Sequence, residues 1–184
     1  MEWNYEMRRQ MQEILPSLFL GPYGAAKDLT ALREQGVTHI LIVRSTLERR
    51  LEAKHPDVFR YHVVEVPEGP TENLILFFTE CNDCIRQVVQ SGGKILVHCN
   101  AGLSRSAAVV VAYVMESMRM PYADAIQFVQ QKRCCIHISE PLLNQLREFE
   151  AIYQNRQAAP FRAGWDGRKR QLEEAVAAEA MATE

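Results

Sequence analysis

The sequence lacks any apolar run long enough to cross a bilayer: its longest stretches, such as Ala107 to Val114, fall far short of the ~20 residues a spanning helix needs. No membrane segment is expected. Charge of one sign is equally scarce. With 21 Lys and Arg against 23 Asp and Glu, the formal net charge is −2. No general basic field therefore draws the chain to nucleic acid or anionic lipid, and anion recognition must be local. The five cysteines leave an odd thiol and follow no extracellular spacing, and no positively charged and apolar leader follows Met1. The expectation is a reducing compartment, cytoplasmic or nuclear.

Other absences narrow the chemistry. There is no Gly-x-x-x-x-Gly-Lys-Ser/Thr run, which argues against a nucleotide-binding loop. Cys134-Cys135-x-His137 has no partner pair at a zinc spacing, so no metal or other cofactor is expected. Cys81-Asn82-Asp83-Cys84 resembles a redox pair, but it sits well inside a helical pattern and not at a helix start, which favours core packing.

What is present suits one soluble core. The 184 residues are 47% hydrophobic and 24% charged, enough for a single domain without staples. We expect an extension over 1–12, a domain over 13–155 and a flexible tail over 156–184. Ile14 to Gly21 reads as an opening edge strand, Ala25 to Gln35 as a helix ended by Gly36, and Thr38 to Val43 as a buried strand. Arg60 to Val66 is a further strand, broken by Pro67-Glu68-Gly69-Pro70. Asn73 to Gln90 is helical and Lys94 to His98 is a compact strand. Helices follow over Ser106 to Met118, Tyr122 to Lys132 and Pro141 to Tyr153. Strands alternating with helices predict an α/β fold with a central, mostly parallel twisted sheet flanked by helices.

The informative segment is His98-Cys99-Asn100-Ala101-Gly102-Leu103-Ser104-Arg105-Ser106, which joins a buried strand to a helix. A loop in that position turns several unpaired N–H groups, and the positive end of the helix dipole, toward one point. Gly102 permits close backbone approach, and Arg105 brings a planar fork that matches phosphate oxygens. Cys99 lies at the base, where the same donors favour thiolate over thiol. A free cysteine at an apolar strand end is more often plain core, but glycine, arginine and serine fall together here at useful places. A Cys-His protease would leave the arginine and glycine unexplained. His98, adjacent to Cys99, points to the opposite side of the strand and suits a structural hydrogen bond better than a base role.

The segment resembles the His-Cys-x5-Arg signature of protein tyrosine phosphatases, in the Ala-Gly-x-Ser-Arg-Ser form of the dual-specificity phosphatases. The resemblance runs from about Tyr5 to Tyr153 and includes Leu18-Phe19-Leu20-Gly21, Gly36-Val37-Thr38-His39-Ile40, Glu72-Asn73 and Gln145-Leu146. It implies that Cys99 attacks phosphorus to form a phosphocysteine, that Asn100, Ala101, Gly102, Leu103, Ser104 and Arg105 hold the phosphate, and that Ser106 helps the thiolate leave. The family's general acid is an aspartate five residues before an asparagine. Counting back from Asn73 reaches Glu68, which keeps the carboxyl but adds a methylene, and a displacement of about an ångström matters for proton transfer. A second departure is Ile136-His137-Ile138-Ser139, where the family has a Pro-Asn pair.

Met7 to Pro16 and Leu20 to Tyr23 look most like a pseudophosphatase branch of this family, whose signature cysteine is a glycine; here Cys99 is present. Two readings follow from the resemblance. One is an active phosphatase on phosphotyrosine, and on phosphoserine or phosphothreonine, in proteins such as mitogen-activated protein kinases. The other is an adaptor that binds phosphoproteins with little or no turnover.

Overall fold

The computed structural model describes residues 5–67, 69 and 72–158. Glu68 and residues 159–184 of the expected tail lie outside the described residues. Contacts divide the chain into two units, Met1–Ala151 and Ile152–Glu184, and the sheet belongs to the first.

A single 3-10 turn, Tyr5–Arg8, precedes strands β1 (Gln12–Leu15) and β2 (Leu18–Pro22). Short helices α1 (Tyr23–Ala26) and α2 (Leu29–Glu34) lead to β3 (His39–Ser45) and β4 (Arg60–Val66). Helix α3 (Ile75–Gln90), strand β5 (Ile95–Cys99) and helices α4 (Arg105–Met118), α5 (Tyr122–Lys132) and α6 (Glu140–Ala158) complete the order. The sheet runs β1-β2-β5-β3-β4. Among the described residues only the β1–β2 pair is antiparallel; β2–β5, β5–β3 and β3–β4 are parallel. The expected α/β architecture is therefore present.

Two local expectations need correction. Ile14 to Gly21 is not one edge strand but the end of β1, a turn and most of β2. Pro16 cannot extend the ladder as a donor, and Ser17 takes φ 72°, so the chain reverses and β2 moves inside, between β1 and β5. The helix expected over Ala25 to Gln35 is two pieces. The Asp28 side chain accepts from the Ala31 N–H at 3.1 Å and caps α2 afresh.

All five residues of β5 are buried, as a strand covered on both faces requires. Alternation sends Leu96 to the face where Phe19, Ala26, Leu32, Ile40 and Ile42 pack. Val97 faces the other way, toward α4, which is buried continuously from Ser106 to Met115 as expected of a helix that is apolar all round. Cys99 lies on the α4 side by the same alternation, and His98 on the other.

Candidate active site

Strand β5 ends on Cys99 and α4 begins at Arg105, so residues 100–104 must reverse the chain in a tight loop. Gly102 makes this possible. It takes φ 67°, and a Cβ there would lie 2.4 Å from the Gly21 carbonyl carbon. No side chain fits.

The loop's carbonyls are held from outside. Asn100 O accepts from the Tyr23 N–H at 3.1 Å and Leu103 O from the His137 N–H at 2.8 Å. Gly102 O accepts from Arg133 Nε at 3.1 Å. Because a trans peptide points its C=O and N–H in opposite directions, each of these bonds turns the following N–H inward. Cys99 is 5% exposed, and its sulfur sits at the floor of that ring. It accepts from the Gly102 N–H at 3.3 Å and from Ser106 Oγ at 3.1 Å. Cys99, Gly102 and Ser106 are thus in direct contact, and Arg105 precedes Ser106 at the start of α4.

The altered segment Ile136 to Ser139 still supports the loop, through its backbone. Besides the His137 N–H, the Ser139 N–H donates to Ser104 Oγ at 3.2 Å. The side chains missing relative to the family are not the groups that make these bonds.

Arg133 and Glu48 are not singled out by the sequence, and Glu72 enters there only as part of the resemblance. Arg133, fully buried, follows directly on α5; it holds the Gly102 carbonyl, and burial pulls its pKa down. Glu48 and Glu72 flank Arg105. A carboxylate oxygen of Glu48 accepts from Arg105 Nη1 and from the Ser45 N–H at 2.9 Å. Arg105 Nε lies 3.4 Å from Glu72 Oε1. Burial raises the Glu48 carboxyl, but the hydrogen bonds from Arg105 and Ser45 and the nearby arginine charges outweigh it and hold Glu48 below the usual carboxylate range. For Arg105 the balance runs the other way: burial lowers its pKa, yet its carboxylate neighbours keep it raised. Nothing in the local sequence signals these pairings.

Glu68, the expected acid, falls outside the described residues. The far end of its loop is tied to α6: Gln145 Nε2 donates to Glu72 O at 2.7 Å, and the Ile75 N–H donates to Gln145 Oε1 at 2.9 Å. Cys81 lies inside α3, fully buried, with its thiol pushed up to about 12 chiefly by burial. It is core, as expected from its helical position.

His98 stacks on Tyr23, with centroids 5.8 Å apart, and its Nδ1 lies 3.2 Å from Cys99 O. Burial lowers its pKa from the ordinary 6.5 to about 4, against a small upward push from the Cys99 carbonyl. The unfolded chain therefore binds a proton near 6.5 that the folded chain refuses until about 4, so stability falls as pH drops through that window. Between about pH 7 and about pH 5 the loss should be on the order of 2 kcal/mol from this residue. Urea unfolding at the two pH values checks this, and His98→Gln should flatten the dependence.

Comparison with known proteins agrees with this geometry. The family model for the dual specificity phosphatase catalytic domain matches residues 18–152. The human serine/threonine/tyrosine-interacting protein is 48% identical over 155 residues, which cover 83% of this chain and 70% of that protein. Dual specificity protein phosphatase 1B of Arabidopsis thaliana is 35% identical over 146 residues, 79% of this chain and 85% of that one. Among solved structures, the human tyrosine phosphatase-like serine/threonine/tyrosine-interacting protein superposes with a TM-score of 0.76 at 46% identity, over 79% of this chain and 99% of its own. With the signature loop, the sheet order and the matched domain in agreement, the chain belongs to the dual-specificity phosphatase family.

Proposed function

We propose that the chain is a protein phosphatase that hydrolyses phosphotyrosine, and phosphoserine or phosphothreonine, through a phosphocysteine on Cys99. The observation that carries this reading is the sulfur itself: two donors, Gly102 N–H and Ser106 Oγ, converge on it at the floor of a loop that opens into the α4 N-terminus. In the first step Cys99 Sγ forms a bond to phosphorus while the bond from phosphorus to the substrate oxygen breaks, and that oxygen takes a proton. Glu68 is the proposed donor, a role typically worth about 10² to 10⁴ in rate. Inward N–H groups and Arg105 bear the charge on the non-bridging oxygens. Water then forms the new bond to phosphorus and gives a proton to the Glu68 carboxylate, while the bond from sulfur to phosphorus breaks and the sulfur leaves as thiolate, received by the Ser106 hydroxyl. No cofactor enters these steps. Phosphorylated proteins of the cytoplasm or nucleus are the proposed substrates, mitogen-activated protein kinases among them.

A second reading has its own observation. Arg105 already binds Glu48 and faces Glu72, so an incoming phosphate must compete with carboxylates for the guanidinium. That arrangement suits a slow enzyme or a phosphoprotein-binding adaptor. Acid quenching during turnover of an aryl phosphate, followed by mass mapping, separates the two. Phosphate found on the Cys99 peptide supports the enzyme. Phosphopeptide binding with no modified Cys99 supports the adaptor.

A further inference from the structure

Among the described residues, the largest fully buried side chain is that of Arg133, and the reaction steps above leave its charge unused. Its guanidinium donates only to neutral oxygens: from Nε to Gly102 O at 3.1 Å, from Nη2 to Arg8 O at 3.0 Å, and from Nη1 to Gln10 O at 2.9 Å, Met7 O at 3.4 Å and the Gln12 side-chain Oε1. Among the described residues, no carboxylate forms an ion pair with it. A buried cation without a counter-ion is costly, and neutral amide donors could hold carbonyls without that cost. The anion that would balance it is the one the Cys99 loop is suited to receive.

Gly102 links the two. Its carbonyl accepts from Arg133 while its N–H donates to Cys99 Sγ at 3.3 Å, so these two contacts and the covalent bonds between them place Arg133 Nε no more than about 11 Å from the sulfur. On the open side of the loop the charge balance is different. Arg105 is paired with Glu48 and faces Glu72 at 3.4 Å, so its positive charge is offset from two sides. Arg133 reaches the loop with its charge intact.

We propose that Arg133 is the buried counter-charge of the phosphate site: from behind the loop it fixes Gly102 and, through the protein interior, favours the dianion held above Cys99. The proposal rests on the reading of the Cys99 loop as a phosphate site. Arg133 is a positioning residue that touches no substrate atom and acts through Gly102 and by its field. Because the guanidinium is buried, that field is screened less than the field of a surface arginine.

The test gives Arg133 the counter-ion it lacks. Gln12 contributes a side-chain acceptor to the guanidinium, so Gln12→Glu places a carboxylate there and keeps an oxygen within reach, whereas Gln12→Met removes the bond and adds no charge. Each substitution is made in the Cys99→Ser chain, which is titrated with a phosphotyrosine peptide by calorimetry. Gln12→Glu should weaken binding by about fivefold to twentyfold, while Gln12→Met should stay within about twofold of the parent. A purely structural tie predicts the reverse order, since a charged acceptor would hold Arg133, and with it Gly102, more firmly than methionine can. Unchanged affinity in Gln12→Glu, or an equal loss in Gln12→Met, would overturn the counter-charge while leaving the Cys99 loop intact. Failure of the Cys99→Ser chain with Gln12 in place to bind the peptide is a different result; it would overturn the phosphate loop and the counter-charge with it.

Discussion

Cys99→Ser should lower phosphate release from an aryl phosphate by about 10⁴-fold or more while phosphopeptide binding persists or tightens. The asymmetry follows from what the residue does and does not hold. The proposed phosphate cradle is a set of inward N–H groups whose orientation is set by Tyr23, Arg133 and His137 acting on the loop carbonyls, and none of these bonds involves the sulfur. Serine at this position keeps a small polar acceptor for the Gly102 N–H and Ser106 hydroxyl, so the loop retains its shape. What disappears is the nucleophilic sulfur, while every donor that holds phosphate stays in place. Phosphate release and calorimetry on the same preparation check both halves. Turnover that survives the substitution would remove Cys99 from the mechanism, and loss of binding in parallel with turnover would mean that the sulfur shapes the loop.

The parts of this site that could be read from the sequence are those that are close along the chain. Cys99 to Ser106 is one strand end, one loop and one helix start, so a contiguous run of residue types specifies its geometry. The sheet was legible for a similar reason, because the β-branched run of β3 and the compact β5 declare their burial. Glu48 was not legible. It lies 57 positions from Arg105, in a loop after β3, and no periodicity records which loop ends meet above a sheet. Arg133 is harder still: its partners include Gly102, 31 positions away, and Gln10, 123 positions away, and an arginine at a helix end ordinarily faces solvent. The hairpin of β1 and β2 was hidden because Ser17 adopts a left-handed conformation that usually signals glycine. The Ile136 to Ser139 departure misleads in the opposite direction, since backbone N–H groups supply the support and are insensitive to side-chain identity.

Arg105→Ala should weaken phosphopeptide binding by about tenfold to a hundredfold and lower kcat/KM by about 10³-fold or more, unlike Cys99→Ser, which spares binding. Losing the fork is only part of the effect. Glu48 and Glu72 now balance the guanidinium from two sides, and once it is gone their carboxylates face the phosphate site without a cation between. Glu48 stays ionised readily because the Ser45 N–H also holds it, at 2.9 Å. Repulsion from these two groups adds to the lost attraction. Arg105→Lys should restore part of the binding through its charge but little of the turnover, because an ammonium cannot make two parallel bonds to the phosphate oxygens. The pairing also predicts a coupling: Glu48→Gln introduced into Arg105→Ala should recover part of the lost affinity by neutralising one of the facing anions. A double-mutant cycle measured by calorimetry reads this directly. Strictly additive effects would show that Glu48 acts on phosphate independently of Arg105, and wild-type affinity in Arg105→Ala would place the phosphate elsewhere than above Cys99.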